Sequence, residues 1–272
     1  VLNTDPGISS ELLRITNSAL FGITREVTSL QHAITLLGMK RVRSLVMGRY
    51  LTDSIGQAAK DTGDFSISYY WRRSLGTAVL AAKFADPIIP KYREEAFIGG
   101  LLADVGVVVM MQGLSEQYAS IANDYAPMRG DDLVKREREV LDLTHADVSA
   151  LVLDTWMLPP VIVEAVRHHH DKDLLECQDD DAYILARLLS GAGRIAKLLC
   201  ENRDKDTVVE TCMKAMETVG LDAKALPHML EDVEGTIREF AELLHTEIIA
   251  SKVYARITEI ITEALAEKAT AG

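Results

Sequence analysis

The sequence has no run of about 18 uncharged apolar residues, the length a helical bilayer crossing needs, and its most apolar stretch, Val105 to Met111, falls far short. Cysteine is scarce, and Cys177, Cys200 and Cys212 form an odd set without CxxC spacing. Such a set suits a reducing compartment better than a disulfide framework, so a cytoplasmic protein is expected. Basic charge is outweighed, with 29 Lys and Arg against 41 Asp and Glu and a formal net charge of −12. A field of that sign repels phosphate backbones unless basic residues segregate, which disfavours nucleic acid as a partner. Internal repeats, Pro/Ser-rich linkers, low-complexity tracts and hairpin-type strand pairs are also missing. Val1 stands where a start Met would, with no charged leader or cleavage signal after it, so the chain is expected to begin inside a longer protein.

What remains is helical patterning. At 272 residues and 48% hydrophobic composition, the chain is long enough for one large helical domain, or a domain plus an appendage, around a sizeable core. Asp5-Pro6 and Ser9 or Ser10 open a helix through Ile8, Leu12, Leu13 and Ile15. Ser29 caps a second through Ala33, Ile34 and Leu37, Gly38 sits where a left-handed C-terminal residue belongs, and a third runs through Val42, Leu45, Val46 and Leu51. Beyond the polar break at Asp61 to Asp64, the spacing of Tyr70, Trp71, Leu75, Ala78, Val79, Ala82 and Phe84 predicts a long buried helix ending near Asp86-Pro87.

Glu95 to Met111 is read as helix, although Val107, Val108 and Val109 favour a strand by propensity. Further helices are expected over Asp131 to Leu143, Ala146 to Trp156, Pro159-Pro160 to His170, and from a cap at Asp179 to Asp181 through Ile184, Leu188, Ile195 and Leu199. Two more follow residue 205. In the last, Leu230, Val233, Ile237, Phe240 and Leu244 form a coiled-coil-like stripe that caps the domain, makes a homodimer, or joins another module. Trp71 and Trp156 are expected in the core, and the class is all-α.

Histidine placement is the first chemical signal. His145 precedes one helix, and His168, His169 and His170 end another, followed by Asp171. Spacing alone leaves two readings open: a metal-binding set, or imidazoles that complement a helix C-terminus in solvent.

Longer motifs carry a resemblance. DPGISSELLRITNSALFG, then VTSLQHAITLLGMKRVRSLV, resemble the N-terminal half of HDOD domains, with a DP start, an NSA segment and an AI-x-x-LG turn in order. The likeness continues through YYWRRSLGTAVLAAKFA, GGLLADVG and THADVSALVLDTWMLPPVIVEAVRHHHD, covering roughly residues 3 to 200. It implies an HD-like multi-helix bundle with extra C-terminal helices. The expected organisation is an HDOD domain over 1–204, cut short at its N-terminal side, and a helical extension over 205–272 packed on it or mediating association.

HDOD domains resemble the catalytic HD and HD-GYP phosphohydrolases, whose motifs can be laid on this chain. A ligand His of the catalytic relatives falls on Arg73, a cation that cannot bind metal. Their His-Asp doublet falls on Ala103-Asp104, and the lysine after it on Val107. His145, His169 and His170 survive, a late Asp falls on Gly193, and no Gly-Tyr-Pro follows Asp171.

The resemblance therefore implies a noncatalytic signalling domain without metal or cofactor, binding a protein partner or a nucleotide-like ligand through a degenerate pocket of Arg73, Ala103, Asp104, His145, His169, His170 and Gly193. Two alternatives stand beside it. A residual metal-dependent phosphohydrolase would use Asp104, His145 and His169 or His170. A helix-turn-helix DNA binder would use Leu30 to Val46, with Lys40, Arg41 and Arg43 opening its second helix. A last expectation concerns charge: with no metal to neutralise Asp104, the Arg73 guanidinium should pair with it, His145 and His169 being rival partners.

Overall fold

The computed structural model describes residues 26–37, 66–122, 133–171, 180–243 and 249–270, with Leu13, Thr16, Asn17 and Leu174. All regular structure among them is helical, as expected: α1 (Leu30–Leu37), α2 (Ile67–Ile88), α3 (Arg93–Leu102), α4 (Val105–Gly113), α5 (Ser115–Ala122), α6 (Leu133–Leu141), α7 (His145–Thr155), α8 (Pro160–His168), α9 (Asp181–Cys200), α10 (Lys205–Val219), α11 (Leu226–Leu243) and α12 (Ser251–Thr270). The helices expected before Asn17 and after Gly38, and Cys177, lie outside the described residues.

The central column is α2. Ser66 caps its start by accepting the Tyr69 amide at 3.2 Å, and Pro87, with no amide to donate, falls in its last turn. Tyr69, Tyr70, Trp71, Leu75, Val79, Leu80 and Phe84 are all buried, an apolar distribution that wraps the helix. A helix apolar all round needs neighbours on every side. α3, α9 and α11 supply them. Gly100 permits the closest approach: a Cβ there would lie 2.7 Å from the Ala78 Cα. Near the start of the described chain, Asn17 of the NSA motif pins Val27 through both amide groups, accepting its N–H at 2.7 Å and donating to its carbonyl at 2.9 Å.

The stretch read as one helix over Glu95 to Met111 is two, α3 and α4, separated at Ala103-Asp104. The valine run is helical because Val107 and Val108 are buried against the rest of the fold, which overrides strand propensity. Pro90–Gly113 has the length and hydropathy of a bilayer span, yet 83% of its apolar window is buried in the domain.

The C-terminal count also differs from expectation. Three α-helices follow residue 205, because the striped segment, α11, is succeeded by α12. Leu230, Val233 and Ile237 are buried as the stripe requires. The core runs without interruption across residue 204: Val208, Cys212, Ala215, Met216 and Val219 of α10 join the cluster that contains Trp71 and Leu189.

Trp71 is 5% exposed and meets Tyr70 edge to face at 5.0 Å. Trp156 is only partly buried, because it sits at the end of α7 beside the exposed Met157 and not within a helix face. Trp71→Ala should therefore cost roughly 3–5 kcal/mol in urea denaturation, and Trp156→Ala distinctly less. Equal losses would contradict this difference in burial.

Candidate functional site

The break between α3 and α4 places Asp104 inside the protein, where three elements converge on it. Arg73 reaches it from the first half of α2, with Nη2 3.6 Å from Oδ2. His145, the first residue of α7, brings Nε2 to 3.4 Å from Oδ1. His169, just past α8, brings Nε2 to 3.5 Å from the same oxygen. His170 completes the group, its Nε2 lying 3.0 Å from that of His145. Asp104, His145 and His169 are buried, and Arg73 is only 17% exposed.

Local structure explains this convergence. Thr144 and Asp147 form a reciprocal cap, Thr144 Oγ1 accepting the Asp147 amide and Asp147 Oδ2 accepting the Thr144 amide, so α7 must begin at His145. Gly106 lets α4 touch that start: a Cβ would fall 2.1 Å from the His145 carbonyl oxygen, and the Gly106 amide donates to Ser149 Oγ at 2.8 Å. At the other end of α8, His169 Nδ1 donates to the Val166 carbonyl, one of those a helix C-terminus leaves free.

Two residues missed by sequence reasoning complete the site. Glu137 of α6 is fully enclosed and accepts, through one oxygen, both the His145 amide at 2.9 Å and His145 Nδ1 at 2.8 Å. Its other oxygen accepts the buried Tyr118 hydroxyl. The available signal was that Glu137 follows Leu133 by four residues and so lies on the buried stripe of an otherwise charged helix. Of the expected pocket residues, Ala103 is buried beside Asp104. Gly193 lies on α9 opposite Thr77, whose hydroxyl donates to the Arg73 carbonyl one turn away.

These contacts set the charges. Burial pushes the Asp104 carboxyl up, but the Arg73 charge and then the His145 and His169 imidazoles overcome it and hold the group well below the usual carboxylate range. Burial works against protonated His145, but the Glu137 carboxylate and then Asp104 raise it from 6.5 to about 9. His170 keeps an outer edge in solvent; desolvation of its ring, then the charges of His169 and His145, hold it well below its ordinary value. The consistent proton arrangement is His145 as a cation donating from Nδ1 to Glu137 and from Nε2 to neutral His170. His169 is different. Its Nδ1 is engaged by the Val166 carbonyl, and its Nε2 is buried and without a hydrogen-bond partner, 3.5 Å from the Asp104 carboxylate oxygen.

That orphaned nitrogen bears on metal binding. Asp104, His145, His169 and His170 offer ligand atoms all within 4.8 Å of one another. A tetrahedral ion with bonds of about 2.1 Å sets its ligand atoms about 3.4 Å apart, against 3.0 to 3.5 Å for the closest pairs here. Glu137 behind His145 is also the carboxylate that metal-bound imidazoles commonly use. The donor set fits a single ion. What opposes one is charge: Arg73 beside Asp104, and a proton on His145 Nε2 that would have to leave.

Because His145 has a raised folded-state pKa, the stability it contributes is fully present below about pH 6.5 and is lost as pH rises through about 9. Asp104 has the opposite sign: its contribution is present above 3.8 and is lost as pH falls below it. Glu137→Gln should move the His145 titration, followed by NMR of its ring, downward by a unit or more. A midpoint left near 9 would mean that Glu137 is not what holds the proton.

Comparison with known proteins places the chain. The HDOD domain family profile matches residues 1–172. An uncharacterized protein of Treponema pallidum (strain Nichols) is 22% identical over 172 residues, 63% of this chain and 32% of that protein, so the match spans about a third of that relative's length. Among solved structures, a candidate phosphohydrolase from Shewanella amazonensis SB2B is similar with a TM-score of 0.66 at 24% identity, covering 89% of this chain and 84% of that one. The MmoQ response regulator of Methylococcus capsulatus str. Bath is similar with a TM-score of 0.52 at 25% identity, covering 84% and 86%. With a profile match over well more than half its length, the chain belongs to the HDOD domain family.

Proposed function

We propose that this HDOD domain acts in bacterial signal transduction, in the cytoplasm, by binding a protein partner or a nucleotide-like ligand, and that it does not hydrolyse phosphate esters. The observation carrying this reading is the Arg73 guanidinium 3.6 Å from the Asp104 carboxylate, at a position where the catalytic relatives use a metal ligand. The pocket is balanced in pairs, Arg73 with Asp104 and protonated His145 with Glu137. A divalent ion would add two positive charges to a buried group that already sums to zero, and would expel the His145 proton. Membership of the family and likeness to a response regulator support the signalling side.

A second reading, a residual metal-dependent phosphohydrolase, has one observation in its favour: the compact set of Asp104, His145, His169 and His170, with a buried, orphaned Nε2 on His169. In that reading the four side chains hold one ion, which would acidify a water for attack on phosphorus. The residues' own part would be to orient that ion, with Glu137 fixing the His145 tautomer. The DNA-binding reading gains no such support: α1 covers its first helix, the second lies outside the described residues, and the net charge opposes it.

Purified protein should carry no stoichiometric transition metal by elemental analysis and turn over neither cyclic nucleotides nor generic phosphodiesters. A tightly held ion, together with turnover abolished by Asp104→Ala, would establish the second reading in its place.

A further inference from the structure

A second enclosed carboxylate lies near the start of α2. Glu201 directly follows α9, and its side chain has no exposed surface. Tyr69, one turn before Arg73 on α2, donates its hydroxyl to Glu201 Oε1 at 2.5 Å. The Arg203 guanidinium grips Oε2 in two-pronged fashion, with Nε at 2.8 Å and Nη2 at 2.6 Å. The same short segment holds the last helix: Arg256 of α12 donates to the Arg203 carbonyl at 2.8 Å and to the Asn202 side-chain oxygen.

Arg73 lies between Asp104 and Tyr69, the residue that donates to Glu201. Residues four apart share a helix face, so Arg73 and Tyr69 are stacked on α2. The Arg73 charge acts on Asp104 at one end and on the Tyr69 hydroxyl and Cys200 thiol at the other. A largely enclosed series of alternating charge and dipole thus runs Glu137, His145, Asp104, Arg73, Tyr69, Glu201, Arg203, from α6 through the pocket to the anchor of α12.

We propose that Arg73 couples the pocket to the C-terminal helix, so that whatever neutralises Asp104 sets how firmly Ser251–Thr270 is held. The physical reason is that a guanidinium cannot shed its charge. When another cation or a hydrogen-bond donor satisfies Asp104, Arg73 loses its partner there, and the enclosed carboxylate toward its other end is Glu201. That carboxylate is already divided between Tyr69 and Arg203. Competition from Arg73 weakens the Arg203 grip and, with it, the carbonyl and amide oxygens that hold Arg256. Linkage makes the effect reciprocal: releasing the Arg256 hold on the 202–203 segment must alter the pocket.

Contact continuity is not itself coupling, so the test is of the response at each end. Arg256→Ala removes an exposed side chain and should leave the fold intact. It should shift the ring resonances of His145 and His169 in a histidine-labelled sample. Lys205→Ala, on α10, removes only the surface pairs with Glu263 and Glu267 of α12, and should leave those resonances in place. In the opposite direction, Asp104→Asn should speed amide hydrogen exchange across 251–270 on the order of tenfold, and beyond any change over 205–219. The proposal is overturned if Arg256→Ala leaves the imidazoles unmoved, or if Lys205→Ala moves them equally. Should Asp104→Asn fail to fold, the Arg256 and Lys205 pair decides alone. No ligand or metal enters the experiment, so its outcome is independent of the binding and hydrolysis readings.

Discussion

A carboxylate enclosed in protein has to be matched by positive charge or hydrogen-bond donors, and the domain interior is arranged around meeting that demand at Asp104. The residue cannot swing out to solvent, because it is the hinge between two buried helices, with Ala103 and Val105 in the core on either side. Its partners arrive from α2, α7 and the end of α8, and each of those helices is placed by packing that has nothing to do with charge. Gly106 against the start of α7 and the reciprocal cap at Thr144 fix His145. The Val166 carbonyl fixes His169. The apolar circumference of α2 fixes the base of Arg73.

Satisfying Asp104 creates a second demand one layer out. His145 is drawn to its charged form although burial opposes it, and Glu137 makes this tenable by taking the proton on the far ring nitrogen. Glu137 in turn is a buried carboxylate, answered by the His145 amide and the Tyr118 hydroxyl. Removing one partner from such a pair commonly costs about 3–5 kcal/mol, whereas the intact pair contributes little net stability. The series therefore specifies an arrangement more than it adds stability.

The sequence made the class and most helices legible because their burial is simple: Tyr70 to Phe84 and Ile184 to Leu199 repeat every three or four residues, and Ser29 and Asp180 cap where the sequence expected caps. The split at Ala103-Asp104 was not legible, since both sides are apolar and the one charged residue looked like an interruption within a helix. Trp156 misled because its neighbours are apolar although the helix ends there. In the site, ordered motifs singled out Arg73, Asp104, His145, His169 and His170, and these are the residues that meet. Glu137 stayed hidden among Lys135, Arg136, Arg138 and Glu139, where a charge reads as solvated unless the stripe position is weighed first. Tyr118 carried no signal, because its role depends on a contact between two helices.

Likeness of fold does not carry chemistry across to this chain, and similar structures include both a candidate phosphohydrolase and a response regulator. What a site of this shape can do turns on the kind of cation beside Asp104. An ion held by three or four ligands can dissociate, exchange, and polarise a water it binds. A guanidinium at the same place does none of these: its donors are fixed in a plane, it has no vacant coordination position, and its base is tied to the central helix. It can neutralise Asp104 or turn away from it, and nothing more. A centre neutralised by an ion has occupancy as its variable, whereas one neutralised by a guanidinium has the position of a side chain, and position is something the surrounding helices feel.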